Sequence, residues 1–463
     1  MKYRKASDTM GEVQIPADKI YDASTQRAVN NFPVSGRPMP RRFIEALGLI
    51  KWAAAEANLQ LKKLDSKLAK AIGKESLEVA QGKYDEHFSV DTFQTGSGTS
   101  TNMNANEVIA NLVNLSMGGG LGSKKPVHPN DHVNMGQSSN DTIPTAFHVS
   151  ALLGTHESLL PQLKRLVKTL DKKSKEFASV IKIGRTHLQD ATPMTTGQVF
   201  SGFATQIEKG IERIEFAAKG LQELAIGGTA VGTGINTHPQ FAKLVCEKLS
   251  QKTKIKFREA DNHFEAQAAK DAIVFFSGAL KTVAVSLFKI ANDLRWLASG
   301  PRCGIGELTI PSLQPGSSIM PGKVNPVMPE MICQVAIQVI GNDVSVTLGG
   351  QNGNFELNVM MPMMISNVLE SVDILSNSIK LFNENCVMGL EVNKARTEAL
   401  VEQSLAMVTS LVPVIGYDKS AAIAKESFKT GKTIRELLTS KKILSDDEIK
   451  KYLDPKTMIK PHS

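Results

Sequence analysis

Leu280-Lys281-Thr282-Val283-Ala284-Val285-Ser286-Leu287-Phe288-Lys289-Ile290-Ala291-Asn292-Asp293-Leu294-Arg295-Trp296-Leu297 reads as one helix without a break. Leu280, Val283, Leu287, Ile290, Leu294 and Leu297 follow one another at alternating steps of three and four residues. That spacing lines one face of an α-helix, and such a heptad-like seam calls for partner helices. Outward from it, long helical patterns cover 143–178, 194–225, 262–299, 326–347 and 357–388. At ~1.5 Å per residue the longest of these are rods of roughly 50 Å. Five such rods predict an all-α fold around an elongated five-helix bundle, with seams that continue between subunits.

The flanking segments differ in character. Residues 1–40 read as an extended or looped arm, interrupted by Gly11, Pro16, Pro33, Gly36, Pro38 and Pro40. A helix starts near Arg41, with Phe43, Leu47, Ile50, Ala54, Ala57 and Leu61 on one face, and a shorter one runs from about Asn102 to Ser116. Beyond Asn393 the chain returns to short helices broken by Pro413, Gly416 and Gly431. The division is therefore a mixed helical and loop domain at 1–142, the bundle at 143–392 and a small helical domain at 393–463. A length of 463 residues agrees with about three domains. Aromatics are only 5% of the chain, which favours helix over a β-sandwich.

Composition excludes several functions. No run of about 18 uncharged apolar residues occurs, so no membrane partner is expected. The basic start, Met1 to Lys5, has no apolar stretch behind it and does not read as a signal peptide. Cys246, Cys303, Cys333 and Cys386 are far apart and form no C-x-x-C pair, which points to a reducing, cytoplasmic setting. The net charge of +8 is spread over short basic runs without interleaved aromatics. It suits the gathering of small dianions and does not call for nucleic acid. Neither Gly96-Ser97-Gly98 nor the 227–234 stretch completes a phosphate-binding loop or a dinucleotide fingerprint. The first reads as a turn whose N–H groups face a carboxylate, and the second as that or a plain tight connection.

Four polar clusters stand outside the apolar seams: Ser97 to Asn102, Ser138 to Asp141, Gly184 to Asp190, and Gly316 to Pro326. Each lies before a predicted helix, so each serves as a helix cap or as one wall of a shared polar pocket. Hydroxyls and amides without metal-ligand spacing suit a carboxylate substrate, and no metal is expected. His187 is the natural acid/base group and Lys323 the natural stabiliser of an oxyanion. Glu330 fits an early helical turn, with Pro326 first in the helix and Asn325 as cap. It serves either as a helix-dipole acid or as the partner that orients His187.

These strings resemble class II fumarases of the fumarase/aspartase superfamily over nearly the whole chain. The resemblance rests on Asp8 to Val13, Phe93 to Thr99, Asn102 to Val108, His128-Pro129-Asn130-Asp131, Gln137 to Asp141, Gly184 to Asp190 and the 316–326 loop. It implies metal-free, cofactor-free reversible hydration of fumarate to L-malate in the tricarboxylic acid cycle. It also implies homotetramers with a twenty-helix core and active sites shared among three subunits. By the same resemblance Ser317 is the base, His187 the acid acting through water, Glu330 its partner and Lys323 the charge stabiliser. Ser97, Gly98, Thr99, Ser138, Ser139, Asn140, Thr186, Ser318, Val324 and Asn325 join Lys323 as substrate contacts. Lys125, His128, Pro129, Asn130 and Asp131 resemble a second carboxylate site, with Lys125 where Arg is frequent and His132 where Asp is frequent. The alternative within the superfamily is an aspartate ammonia-lyase. The Thr186-His187 and Ser138-Ser139-Asn140 strings favour the fumarase.

Overall fold

The computed structural model describes residues 2–461. In chain order its first elements are a hairpin of β1 (Tyr3–Asp8) and β2 (Gly11–Pro16), then α1 (Ala23–Asn31), α2 (Arg41–Gln60), α3 (Ser66–Ala80) and α4 (Thr99–Ser116). The long helices follow. α5 (Ser139–Gly154) runs through a π-helical turn at Thr155–Leu159 into α6 (Leu160–Glu176). A second hairpin, β3 (Ile181–Thr186) with β4 (Gln189–Thr195), leads to α7 (Thr196–Ala218). Then come α8 (Phe241–Thr253), α9 (His263–Ala268), α10 (Asp271–Leu297), α11 (Val327–Gly350) and α12 (Met361–Asn385). Short helices from α13 (Lys394–Gln403) onward complete the chain. The fold is all-α, with the five long helices expected of the bundle. The arm at 1–40 departs from expectation in containing a hairpin and α1. Asp8 and Gly11 turn the hairpin, and α1 fits between two helix breakers.

The seam behaves as its spacing requires. Leu280, Val283, Leu287, Ile290 and Leu294 are all at most 1% exposed. The predicted rod at 262–299 is nevertheless two helices. The Lys270 ammonium donates to the carbonyls of Ala266, Gln267 and Ala269 and so ends α9 before α10 begins. α12 starts at Met361 because a small hairpin precedes it, whose Asn358 amide caps the final carbonyls of α11 at Gly349 and Gly350. By length and composition α10 and α11 are apolar enough to cross a membrane. Each nonetheless buries one face against protein, and Asp343 of α11 ties to Ser277 and Lys281 of α10.

The chain resolves into two compact units. One comprises Met1–Pro161, Gly210–Ala284 and Val335–Ser376, and the other Gln162–Lys209, Val285–Gln334 and Asn377–Ser463. The long helices contribute residues to both, so these units cut the chain differently from the divisions at 142 and 392. In the first unit α4 is the organiser. Asn104 donates to His87 O, Asn111 to Ile20 O and Asn114 to Val127 O. The Glu107 carboxylate accepts from the N–H groups of Asp22, Ser24 and Thr25 at the start of α1. A helix with buried amides on several faces thus satisfies the backbone of the loops around it. In the second unit Ile183 packs with Val401, Met407, Leu411, Ile423, Leu437, Leu438 and Ile449 in a separate small core.

Candidate active site

The first unit brings two helix starts together. Gly98 sits at φ 75°, in the left-handed region, and opens α4 at Thr99. A Cβ on Gly98 would press on Ile143 of α5, about 2.9 Å away, so glycine permits the close approach of the two helices. Ser97 Oγ and Thr99 Oγ1 are 2.8 Å apart. Ser138 caps α5 through a capping box: its Oγ accepts from Asn140 N–H, and Asp141 Oδ1 accepts from Ser138 N–H. Asn102, in the first turn of α4, donates to Ser139 Oγ at 2.9 Å. Ser97, Thr99, Ser138, Ser139 and Asn140 therefore gather at two helix N-termini, where backbone N–H groups and helix dipoles favour an anion. Two of the four sequence clusters converge here.

The 227–234 stretch also packs against this place. Its N–H groups at Gly227 and Thr229 donate to Asp141 Oδ2, and Asn140 Nδ2 donates to Ala230 O. It is thus a tight connection that receives a carboxylate of its own chain. The residues expected to form a second carboxylate site lie on the same unit. His128 Nδ1 accepts from Asn130 and Asp131 N–H, which leaves the ring proton on Nε2. His132 Nδ1 accepts from His128 N–H and closes the π-helical turn at Pro129–Val133. A cleft of ≈ 550 Å³ is lined by His128, Pro129 and Asn130 with Arg27 and Lys124. Lys124, rather than the exposed Lys125, reaches that cleft.

The second unit carries Thr186, His187 and the 316–326 loop. His187 and Leu188 form the two-residue turn between β3 and β4, with Thr186 paired to Gln189. Both lie at positive φ, 57° and 59°. Such a turn ordinarily takes Asn-Gly, so His and Leu are strained there and project into the open. This corrects the helix-cap reading of the 184–190 cluster: a hairpin turn carries it, and α7 starts only at Thr196. Beneath the turn, Arg185 pairs with the buried Glu307 at 2.8 Å, and Lys182 lies 3.3 Å from the same carboxylate.

The loop is tied at its base. Gly316 N–H donates to Lys323 O, and Asn325 Nδ2 donates to Gly316 O at 2.7 Å. Helix α11 begins at Val327, so Asn325 closes the loop instead of capping the helix, and Glu330 is in the first turn. Ser317 Oγ accepts from the N–H groups of Ile319 and Met320, at 3.2 and 3.0 Å. Ser318, Lys323 and Val324 are exposed, as is the apolar tip, with Ile319 84% exposed. Among the described residues, no hydrogen bond or ion pair joins His187 to Glu330 within the chain.

Comparison with known proteins identifies the frame that holds these groups. Residues 11–341 match the family described as Lyase, and residues 407–460 match the family described as Fumarase C C-terminus. The chain is 53% identical to the rat protein named "Fumarate hydratase, mitochondrial", over 99% of this chain and 91% of that one. It is 50% identical to "Fumarate hydratase class II" of Methylorubrum extorquens, over 99% and 97%. The chain belongs to the class II fumarase family. The crystal structure of recombinant class II fumarase from Schistosoma mansoni has the same fold, with a TM-score of 0.97, 39% identity and complete coverage of both chains. Family membership extends from the N-terminal hairpin through the small C-terminal helices, so both groups of polar residues lie on a class II fumarase scaffold.

Proposed function

We propose that this chain is a fumarate hydratase that interconverts fumarate and L-malate by anti addition and elimination of water. The observation that carries the reading is Ser317 Oγ, which accepts two loop N–H groups. An alcohol is a poor base until its oxyanion is stabilised, and two fixed donors do that before any substrate arrives. Ser317 takes the C3 proton of malate. The carbanion's charge spreads into the neighbouring carboxylate, where Lys323 and Asn325 stabilise it. His187, through a water, protonates the departing hydroxyl, and Glu330 orients its ring. Ser97, Gly98, Thr99, Ser138, Ser139, Asn140, Thr186, Ser318 and Val324 hold the two carboxylates. The His128–Asp131 turn, with Lys124 and Arg27 on the same cleft in place of the expected Lys125, forms a second carboxylate site. No metal or cofactor takes part.

His187 and Glu330 act together in a site shared between copies of a homotetramer. All four cysteines are unpaired, which supports the cytoplasm as the compartment. The test is incubation with L-malate and with L-aspartate separately, each with a strong chelator present, following fumarate by its absorbance. Fumarate forms from malate and not from aspartate. Fumarate from aspartate alone would make the chain an ammonia-lyase, and loss of activity with chelator would overturn the metal-free mechanism.

A further inference from the structure

Lys51 lies on the inner face of α2 and is 0% exposed. A lysine this deep normally pairs with a carboxylate, because burying an ammonium alone is costly. Lys51 forms no ion pair among the described residues. Its Nζ donates instead to two side-chain amides, Asn134 Oδ1 and Gln137 Oε1, each at 2.9 Å.

The chemistry of an ammonium gives this arrangement a direction. It has donors and no acceptor, so both amides must turn their oxygens toward it. Asn134 Oδ1 then also accepts from Asn102 Nδ2 at 3.3 Å. The same Asn102 Nδ2 donates to Ser139 Oγ at 2.9 Å. One lone pair of Ser139 Oγ is thereby occupied, and its own hydrogen is left to donate elsewhere. Asn134 is held from its other end by a bond from Nδ2 to Gln137 O at 3.2 Å, and Gln137 Nε2 donates to Val133 and Met135 carbonyls. Among the described residues, the charged group bearing on Lys51 is Asp141, which is fully buried and accepts from Ser138, Gly227 and Thr229 N–H. Burial brings the Lys51 ammonium down to about 7. The free amine keeps enough N–H groups for both oxygens.

We propose that Lys51 is a positioning residue, which through Asn134 and Asn102 fixes the Ser139 hydroxyl as a hydrogen-bond donor to the substrate carboxylate. The proposal rests on the fumarate hydratase reading. Lys51 touches no substrate and acts only through the polarity of the chain it begins. A donor to a carboxylate that serves ground and transition states alike changes KM and leaves kcat alone.

The experiment is a double-mutant cycle of Lys51→Met with Ser139→Ala, measuring kcat and KM for fumarate hydration and fumarate affinity by calorimetry. Circular dichroism and a thermal melt check the fold of each variant. Lys51→Met raises KM and weakens binding about tenfold, the worth of one hydrogen bond to a charged group, with kcat within about threefold. In the Ser139→Ala background the same substitution changes neither, because the hydroxyl it orients is gone. An equal loss in both backgrounds would show a merely structural lysine, and no loss in either would also overturn the proposal. If Lys51→Met does not fold, Asn134→Leu breaks the same chain at its second link and is read the same way. Wild-type protein that binds fumarate without turning it over would sink the hydratase reading and leave the binding cycle to judge Lys51. Wild-type protein that does neither sinks both.

Discussion

His187 occupies a backbone position in a tight turn that suits a histidine poorly. At φ 57° it pays the steric cost of the left-handed region, which Asn bears more easily because its short polar side chain bonds locally. Strain at this residue agrees with the proposed role of its ring. His187→Asn is therefore expected to fold at least as stably as the parent while losing the titrating ring. Its melting temperature is unchanged or higher, and kcat falls by about 10²–10⁴, the usual worth of a general acid. A variant that loses stability and keeps its rate would assign the ring to structure. Ser317 shows the complementary device, because its hydroxyl is common and its two N–H partners are not. The residue types of both groups were legible in the sequence. The strain at 187 and the donors at 317 were not, since both depend on backbone geometry that a string of letters does not carry.

At the scale of elements, periodicity was the reliable guide and punctuation the unreliable one. The seam from Leu280 to Leu294 is buried as its spacing requires, because apolar burial is the term that dominates a long helix. The β3–β4 hairpin escaped notice because its two turn residues, His187 and Leu188, are not turn formers. The break between α9 and α10 escaped because a lysine, not Gly or Pro, ends the first helix. The turn before α4 is held by another contact between distant parts of the sequence. Gly96 O accepts from Met361 N–H at the start of α12. A Cβ on Gly96 would stand 1.9 Å from the backbone oxygen of Val359, a contact that no side-chain rotation relieves. Gly96→Ala is expected to lower stability by about 1–3 kcal/mol, as overpacking does, and to weaken fumarate binding by displacing Ser97 and Thr99. Thermal melting with calorimetric binding checks both. An unchanged melt would show that the turn yields easily and does not position the substrate.

For the whole molecule, the sequence was sufficient to indicate long seams, but not which of their faces a single chain covers. α11 separates the two. Ala336, Val339 and Val346 are at most 1% exposed, whereas Ile337, Val344 and Leu348 are 61%, 53% and 52% exposed on another face. Gly341 lies on that outer face between Ile337 and Val344, and a Cβ there would meet nothing within 4 Å. Steps of four, three and four along Ile337, Gly341, Val344 and Leu348 make a stripe of the spacing that receives another helix, with a glycine where backbones approach. In the proposed homotetramer a second copy of the same chain covers that stripe. The prediction is that Val344→Glu, which places a carboxylate in that stripe, weakens assembly by about 3 kcal/mol or roughly 100-fold in association. Sedimentation should show tetramers for the parent and smaller species for the variant. On the proposed sharing of sites between copies, turnover should fall in step with dissociation. A dissociated variant with full activity would show that each chain completes its own site, and a Val344→Glu tetramer would remove α11 from the subunit interface.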